Sequence, residues 1–585
     1  MEPLYASARH ALALEGRPAG APWTIVQRIE IPDPGQANAV ILADLEGGAG
    51  GLELVFAGSA TARPHAIAAT DADSLGALLD GVYLDIVSLR VDSGESTAAV
   101  AASIEAVAAA RGVGAGALDL ALAFDPLGFL AASGAIATAP AEHVRHAGRI
   151  GAARLANRGR GTVLEADGRH WHDAGATEAQ ELAAVLATAT AYWRGLEAEG
   201  IAPEAAIRLV GVTLAADQDQ FRTIAKFRAL RKLWTRLQQA AGIDPAPVRL
   251  HAQTSWRSMS RVGPHVNLLR STIAGFAAGI GGADSVTVLP FTSANGLPDG
   301  FARRLARNTQ SILLEESNLA RVADPAAGSG LVEAETDGLA ARAWSLFQEI
   351  EAEGGMAAAL ASGRWQERVA SAAADRAKAV ARRKQPLTGA SEFPDIAEQA
   401  VPILEEAPAP AAPAVATPAA IVRPLPPRRL SEPFEALRAA SDRTLAETGR
   451  RPRIFLANLG RIADFNTRST WARNLFEAGG IEAVTNDGFA SLDELVAAFR
   501  AAGTPGACLC SSDAVYGQAA AEAAAALRAA GAGPLLLAGR PADAAAEAAY
   551  AASGIDGFVQ AGMDVLAALG TLQERLAAAA PATKS

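Results

Sequence analysis

The chain has 585 residues, half of them hydrophobic and only 5% aromatic, with a formal net charge of −11. That length suits three or four domain-sized units, or one large barrel plus a smaller domain. An acidic balance argues against nucleic acid or an anionic membrane surface as partner, since either needs clustered Lys and Arg.

In chain order, the opening stretch MEPLYASARHALALEG lacks a basic segment followed by an unbroken apolar one, so no secretory signal is expected. No run of about twenty uncharged apolar residues follows it, and a cytoplasmic chain is the expectation. Eight strand-like runs come next: AVILADL, LELVFAG, DIVSLRV, LDLALAF, GTVLEAD, IRLVGVTL, VRLHAQT and SVTVLPF. Helical stretches such as TAAVAASIEAVAAARG and TIAKFRALRKLWTRLQQAAG lie between several of them. Eight β-then-α units over some 300 residues predict a (β/α)8 barrel of the TIM type, with a helical extension, across residues 1–400. Residues 401–433, rich in Pro and Ala and without periodicity, read as a semi-rigid linker.

Residues 434–585 open with a helix and continue with five strand–helix units whose strands are RIFLANL, IEAVTN, ACLCSS, PLLLAG and GFVQAG. They predict a small doubly wound, flavodoxin-like domain. After its first strand the pattern reads as a loop from Gly460, GRIADFNTR, and then a helix from about Thr467. Cys508 and Cys510, two apart on one strand, are expected on one face as small buried hydrophobes, which suits a reducing compartment. No further metal ligands lie in sequence reach of them, and no metal site is predicted.

Several polar clusters have ordinary readings. His143 and His146, three apart on a helix, are expected on a solvated face. The helix carrying Arg303, Arg304 and Arg307 suits a solvated or interface position, and adjacent Glu315 and Glu316 diverge by about 100° on a helix, so they make no carboxylate dyad. No Walker motif, nucleophile elbow or zincin pattern is present.

The segment HAQTSWRSMSRVGPHVNLLRSTIAGFAAGIGGADSV, residues 251–286, resembles the methylmalonyl-CoA mutase family, as do FARRLARNTQSILLEESNLARVADPAAGSGLVE (301–333) and HDAGATEAQELA (172–183). The resemblance implies a coenzyme A ester-binding barrel joined to a cobalamin-binding domain. In active members adenosylcobalamin starts a radical 1,2-shift between succinyl-CoA and methylmalonyl-CoA. Active chains carry Asp-x-His-x-x-Gly after the first strand of the cobalamin domain. Here, counted from Gly460, those three positions hold Ile462, Asp464 and Thr467, so the means of ligating cobalt is lost. The family's Tyr segment before the first barrel strand has no Tyr here, and its Gly-Tyr-His reads Gly168-Arg169-His170. His170 is therefore either a retained carbonyl polariser or a partly exposed loop-end histidine. His251 and Gln253, at a strand's C-terminal end, are vestigial candidates for the acyl site or packed core residues.

Some members pair a large catalytic chain with a small related one. CSSDAVYGQ (510–518) and GMD (562–564) resemble the small, or beta, chain. The expected partners are a large (alpha) chain that holds the adenosylcobalamin and, in the complex, the coenzyme A ester; this chain is expected to bind no cofactor itself. A divergent active mutase that binds cobalamin without a histidine ligand is the competing expectation.

Overall fold

The computed structural model describes residues 17, 20–63, 65–406 and 417–579, in two units. The opening sixteen residues and the middle of the Pro/Ala-rich segment, 407–416, lie outside the described residues. The first unit takes in residues up to 259, 264–374 and 401–429; the second comprises 260–263, 375–400 and everything from 430.

The first unit is built on eight parallel strands: β1 (Thr24–Ile29), β2 (Gly51–Val55), β3 (Ser88–Asp92), β4 (Leu120–Leu122), β5 (Leu164–Asp167), β6 (Val210–Ala216), β7 (Leu250–Thr254) and β8 (Ser285–Thr287). The ladder runs β4-β3-β2-β1-β8-β7-β6-β5. Between its ends, Leu122 N donates to Thr162 O (2.9 Å) and Glu165 N to Phe124 O (3.1 Å), so the sheet closes into a barrel. One helix of the outer ring follows each strand: α1 (Pro34–Glu46), α2 (Ala72–Leu78), α3 (Thr97–Ala110), α4 (Pro140–Ala156), α5 (Glu178–Ala198), α6 (Gln220–Ala240), α7 (Pro264–Gly281) and α8 (Gly300–Ser311).

Local chemistry starts these helices. Asp33, Asp71, Asp219 and Asp299 each accept a backbone N–H of the following turn, and Thr177 with Gln180 forms a capping box. Small residues allow close packing: a Cβ on Gly279 of α7 would stand 2.6 Å from the Trp23 ring.

The predicted strand AVILADL is wrong. Residues 39–45 lie within α1, capped by Asp33 with Pro34 in the first turn, while the first barrel strand is TIVQRI. Seven of the eight predicted runs are barrel strands, and the eighth strand lies upstream of them. Of the Pro/Ala-rich segment, residues 417–429 are strapped to the top of the barrel. Ala420–Ile421 pairs antiparallel with Ala135–Ile136, and Leu425 N and Arg428 N donate to Ala131 O (2.7 Å) and Asp173 O (2.9 Å).

The second unit is a doubly wound parallel sheet of β9 (Arg453–Asn458), β10 (Glu482–Val484), β11 (Ala507–Cys510), β12 (Leu535–Ala538) and β13 (Gly557–Val559), in the order β10-β9-β11-β12-β13. That is the flavodoxin-like order, with its switch point between β9 and β11. Cys508 and Cys510 are buried in one core cluster on one sheet face, and burial pushes the Cys508 thiol up.

The barrel seam depends on one glycine. Gly161 holds φ +99°, and a Cβ there would stand 2.0 Å from the carbonyl oxygen of Leu120, backbone that cannot swing away. Gly161→Ala is expected to cost about 3 kcal/mol or more, read as a lower urea midpoint for the barrel transition.

Candidate functional site

The barrel axis is occupied by the chain's own charged side chains. Neighbouring strands in register put Arg28 beside Glu53 and Glu53 beside Arg90, and Asp167 beside Thr213. Arg90 donates to Glu165 (3.1 Å) and to Thr213 Oγ1 (2.7 Å), and its Nε lies 3.6 Å from Glu53. Above this layer Arg169 donates to Glu53 (2.8 Å), to Gln253 Oε1 (2.7 Å) and by two nitrogens to Asp167 (2.7 and 3.0 Å), with Asp92 at 3.5 Å. All of these side chains are buried.

Burial alone would push the Glu53 carboxyl up, but Arg169, Arg28 and Arg90 outweigh it and hold it well below the usual carboxylate range. Asp167 behaves alike, burial being overcome by Arg169 and His170. For Glu165 burial wins over Arg90, and its pKa rises. At the strands' N-terminal ends, Arg249 donates to both oxygens of Asp119 (2.6 and 2.8 Å) and to Ser88 Oγ (3.0 Å). Between these layers remains a cavity of about 20 Å³ lined by Arg90, Glu165, Arg249, His251 and Ser285. It has room for one water.

The vestigial candidates fall into this network. Gln253 accepts from Arg169, as above. His251 Nδ1 lies 2.8 Å from Ser285 Oγ, and Nε2, with no protein partner, belongs to the side chain that lines the water-sized cavity. His170 is neither exposed nor at a loop end: it sits in a helical turn, Gly168–Ala174, 9% exposed, 3.8 Å from Asp167. It packs on Gly128, where a Cβ would meet its ring at 2.4 Å. Leu425 and Pro427 of the strap close over it and Arg169, leaving about 10 Å³.

His172 and Ser255, from two of the family-like segments, also meet. His172 Nε2 is 2.7 Å from Ser255 Oγ and Nδ1 is 3.3 Å from Glu181, which Lys226 holds at 2.7 Å. The geometry is that of a Ser–His–carboxylate triad, yet all four side chains are buried. The cluster ties the ends of β6 and β7 to α5 and α6.

Two further polar expectations change. His143 is largely buried, edge-on to Phe124 and 3.4 Å from Glu95. Arg303 and Arg307 are not solvated but bind Asp44, at 2.5 and 3.0 Å. The interior charges themselves had a signal in the sequence: Leu-Glu-Leu, Leu-Arg-Val and Leu-Glu-Ala place one charge at the centre of an apolar strand.

In the second unit the expected loop is mostly helix. α9 (Ile462–Ala478) begins two residues after Gly460, so Ile462, Asp464 and Thr467 lie in its first two turns. Ile462 and Thr467 are exposed. Asp464 accepts from Arg461 N at 2.9 Å and thereby caps the helix; that hydrogen bond lowers its pKa. Gly460, at φ +85°, makes the turn, and a Cβ there would stand 3.0 Å from Asp464 Oδ2.

The switch-point crevice is bridged. Ser511 Oγ donates to Leu459 O (2.7 Å), while Arg468 donates to Ser511 O and Asp513 (both 2.7 Å) with its guanidinium over the Tyr516 ring. At the position that the family resemblance gives to the cobalt ligand, Asp464 is committed to its own helix end and does not fit that role. Among the described residues no three His, Cys, Asp or Glu side chains are placed to hold a metal ion. No helix among them is long and apolar enough to cross a membrane.

A (β/α)8 barrel, a doubly wound domain and the family-like motifs gathered at the strand ends define a protein of the acyl-CoA mutase type. The sequence profile described as methylmalonyl-CoA mutase matches residues 17–446, and the chain belongs to that family. It is 43% identical over 566 residues to the methylmalonyl-CoA mutase small subunit of Streptomyces virginiae, covering 97% of this chain and 86% of that one. The small subunit of Propionibacterium freudenreichii subsp. shermanii is 38% identical, with 95% and 83% covered. The methylmalonyl-CoA mutase of Rhizobium meliloti is 30% identical over 404 residues, 66% of this chain and 57% of that one.

Two outcomes follow from the interior. Arg169→Ala leaves Asp167 and Glu53 buried without their main partner and is expected to cost about 3–5 kcal/mol in urea unfolding. The second concerns pH. Burial first, then Arg90, hold His251 neutral well below its ordinary 6.5. On acidification the unfolded chain binds a proton that the folded barrel refuses, so stability falls below about pH 6.5, by up to about 1.4 kcal/mol per unit. His251→Gln is expected to remove this slope, measured by urea unfolding between about pH 7 and about pH 5.

Proposed function

We propose that the chain is the small (beta) subunit of a heterodimeric, adenosylcobalamin-dependent methylmalonyl-CoA mutase, and that it contributes structure rather than chemistry to the interconversion of succinyl-CoA and methylmalonyl-CoA. The observation that carries the reading is the barrel lumen, filled by the Arg28, Glu53, Arg90, Asp167 and Arg169 network down to a water-sized cavity. A coenzyme A ester threading this axis would have to displace paired, desolvated charges. The capped start of α9 supports the same reading from the other unit, because Asp464 is engaged where a cobalt ligand would be needed. On this reading a homologous large chain holds adenosylcobalamin and the acyl-CoA, and the pair works in the cytoplasm.

The test is an absorbance titration of the purified chain with adenosylcobalamin, alone and then with the large chain. The expected result is no spectral change for the chain alone, cobalamin lost on gel filtration, and mutase activity only when the large chain is present. A bound, base-off spectrum or mutase turnover from this chain alone overturns the reading in favour of a divergent active mutase. Asp464→His is expected to leave the chain without bound cobalamin, since the changed residue would sit in a formed helix.

A further inference from the structure

α7 and α8 lie side by side on the outside of the barrel, and both turn apolar side chains to solvent. On α7, Leu269 (64% exposed), Ile273 (38%) and half-buried Phe276 follow the three-and-four spacing of one helix face. On α8, Phe301 (51% exposed) and half-buried Leu305 repeat the pattern, and Ile312 (49%) follows in a turn that also exposes Glu315 and Glu316. Of the fifteen exposed large hydrophobics among the described residues, six fall between 269 and 331. The outward face of α7 from 265 to 276 carries no carboxylate, lysine or exposed arginine, and Arg304 is the charge standing among the outward positions of α8. α4 of the same ring does the opposite, exposing Glu142, Arg145, His146 and Arg149.

An outer barrel helix that stays in water has no reason to present such a stripe, and two adjacent ones make a continuous face. At about 1.5 Å per residue and about 10 Å per helix, about twelve residues of each helix make a footprint of roughly 350 Å². A standard interface takes about 800 Å² from each partner, with its centre poor in charge. The face therefore supplies the apolar centre of one stable interface.

We infer that the α7–α8 face is the surface on which the large mutase chain docks. The inference rests on the subunit reading above, which supplies the partner; relatives that carry the words small subunit in their names support a partner of that kind.

The test uses the full chain co-expressed with the large mutase chain and sedimentation velocity of the purified mixture. Leu269→Glu with Ile273→Glu is expected to weaken heterodimer formation by about tenfold or more while leaving thermal unfolding of the chain unchanged. Phe301→Ser, on the neighbouring helix, is expected to weaken it in the same direction. Tyr83→Ser with Ile86→Ser, which removes two side chains exposed by 72% and 76% in the turn before β3, is expected to leave it intact. Assembly of the glutamate variant as tightly as wild type overturns the face while sparing the subunit reading. Failure of the wild-type chains to assemble overturns both. A wild-type homodimer that the same substitutions break, with the heterodimer intact, assigns the face to a second copy and overturns the proposal. Destabilisation of the chain alone by these substitutions, matched by deletion of residues 1–16, assigns it to the chain's own upstream segment and overturns it too.

Discussion

The first unit depends on the guanidinium of Arg169. Three acidic side chains, Glu53, Asp92 and Asp167, and the amide of Gln253 converge on it from β2, β3, β5 and β7 in the buried interior. A buried charge is tolerable only when its partners are fixed within hydrogen-bond reach; unpaired, it costs several kcal/mol. The ion pairs therefore constrain the strands as much as the strands place the ion pairs. Slipping β2 by one residue would turn Glu53 outward and bring an apolar neighbour into the lumen, leaving Arg169, Arg28 and Arg90 without their shared carboxylate. An apolar filling would tolerate such slips better, since one aliphatic side chain resembles another.

The same constraint explains what could be read from the sequence. Strand positions were legible from apolar runs bounded by turns, and the two fold types followed from the alternation of runs and helical patterns. The one error among the strands is instructive. AVILADL has the composition of a strand, but Asp33 and Pro34 before it are a helix start, and Asp44, which breaks the run, is the carboxylate that Arg303 and Arg307 need. The true first strand carries Gln27 and Arg28 and so reads as polar: Arg28 points into the charged lumen, while Gln27, on the opposite face, donates to Asp44 of α1. The charges were visible, each alone in an apolar run; their pairing was not, because partners such as Arg90 and Glu165 are 75 residues apart and only barrel closure brings them together.

The α9 start was misjudged for a related reason. The substitutions at Ile462, Asp464 and Thr467 were readable against the family's pattern, and they marked the loop as changed. What they had become was not evident, since Asp464 acts through the backbone N–H of Arg461, a partner three residues back that a search for metal ligands does not consider. An acidic residue in the first turn, bonded to the backbone N–H of Arg461, favours a loop that winds directly into helix.

The barrel axis and the switch-point crevice thus both hold polar side chains of the chain itself. On the subunit reading proposed above they are vacated ligand sites, and a vacated site cannot stay as it was. Buried donors and acceptors that once met a ligand would be left unsatisfied, each at a cost of about 1–3 kcal/mol, and the cavity would add its own penalty. Matched guanidinium and carboxylate groups fill the barrel down to a water-sized cavity, and Arg468, Ser511 and Tyr516 bridge the crevice. On the proposed reading such a chain is complete without cofactor or substrate. Its stability then does not rise and fall with ligand concentration, as that of a ligand-dependent fold does. For the subunit role proposed above, in which the chain offers a rigid surface to another chain, that independence is the useful property: such a face keeps its shape whether or not the partner is loaded.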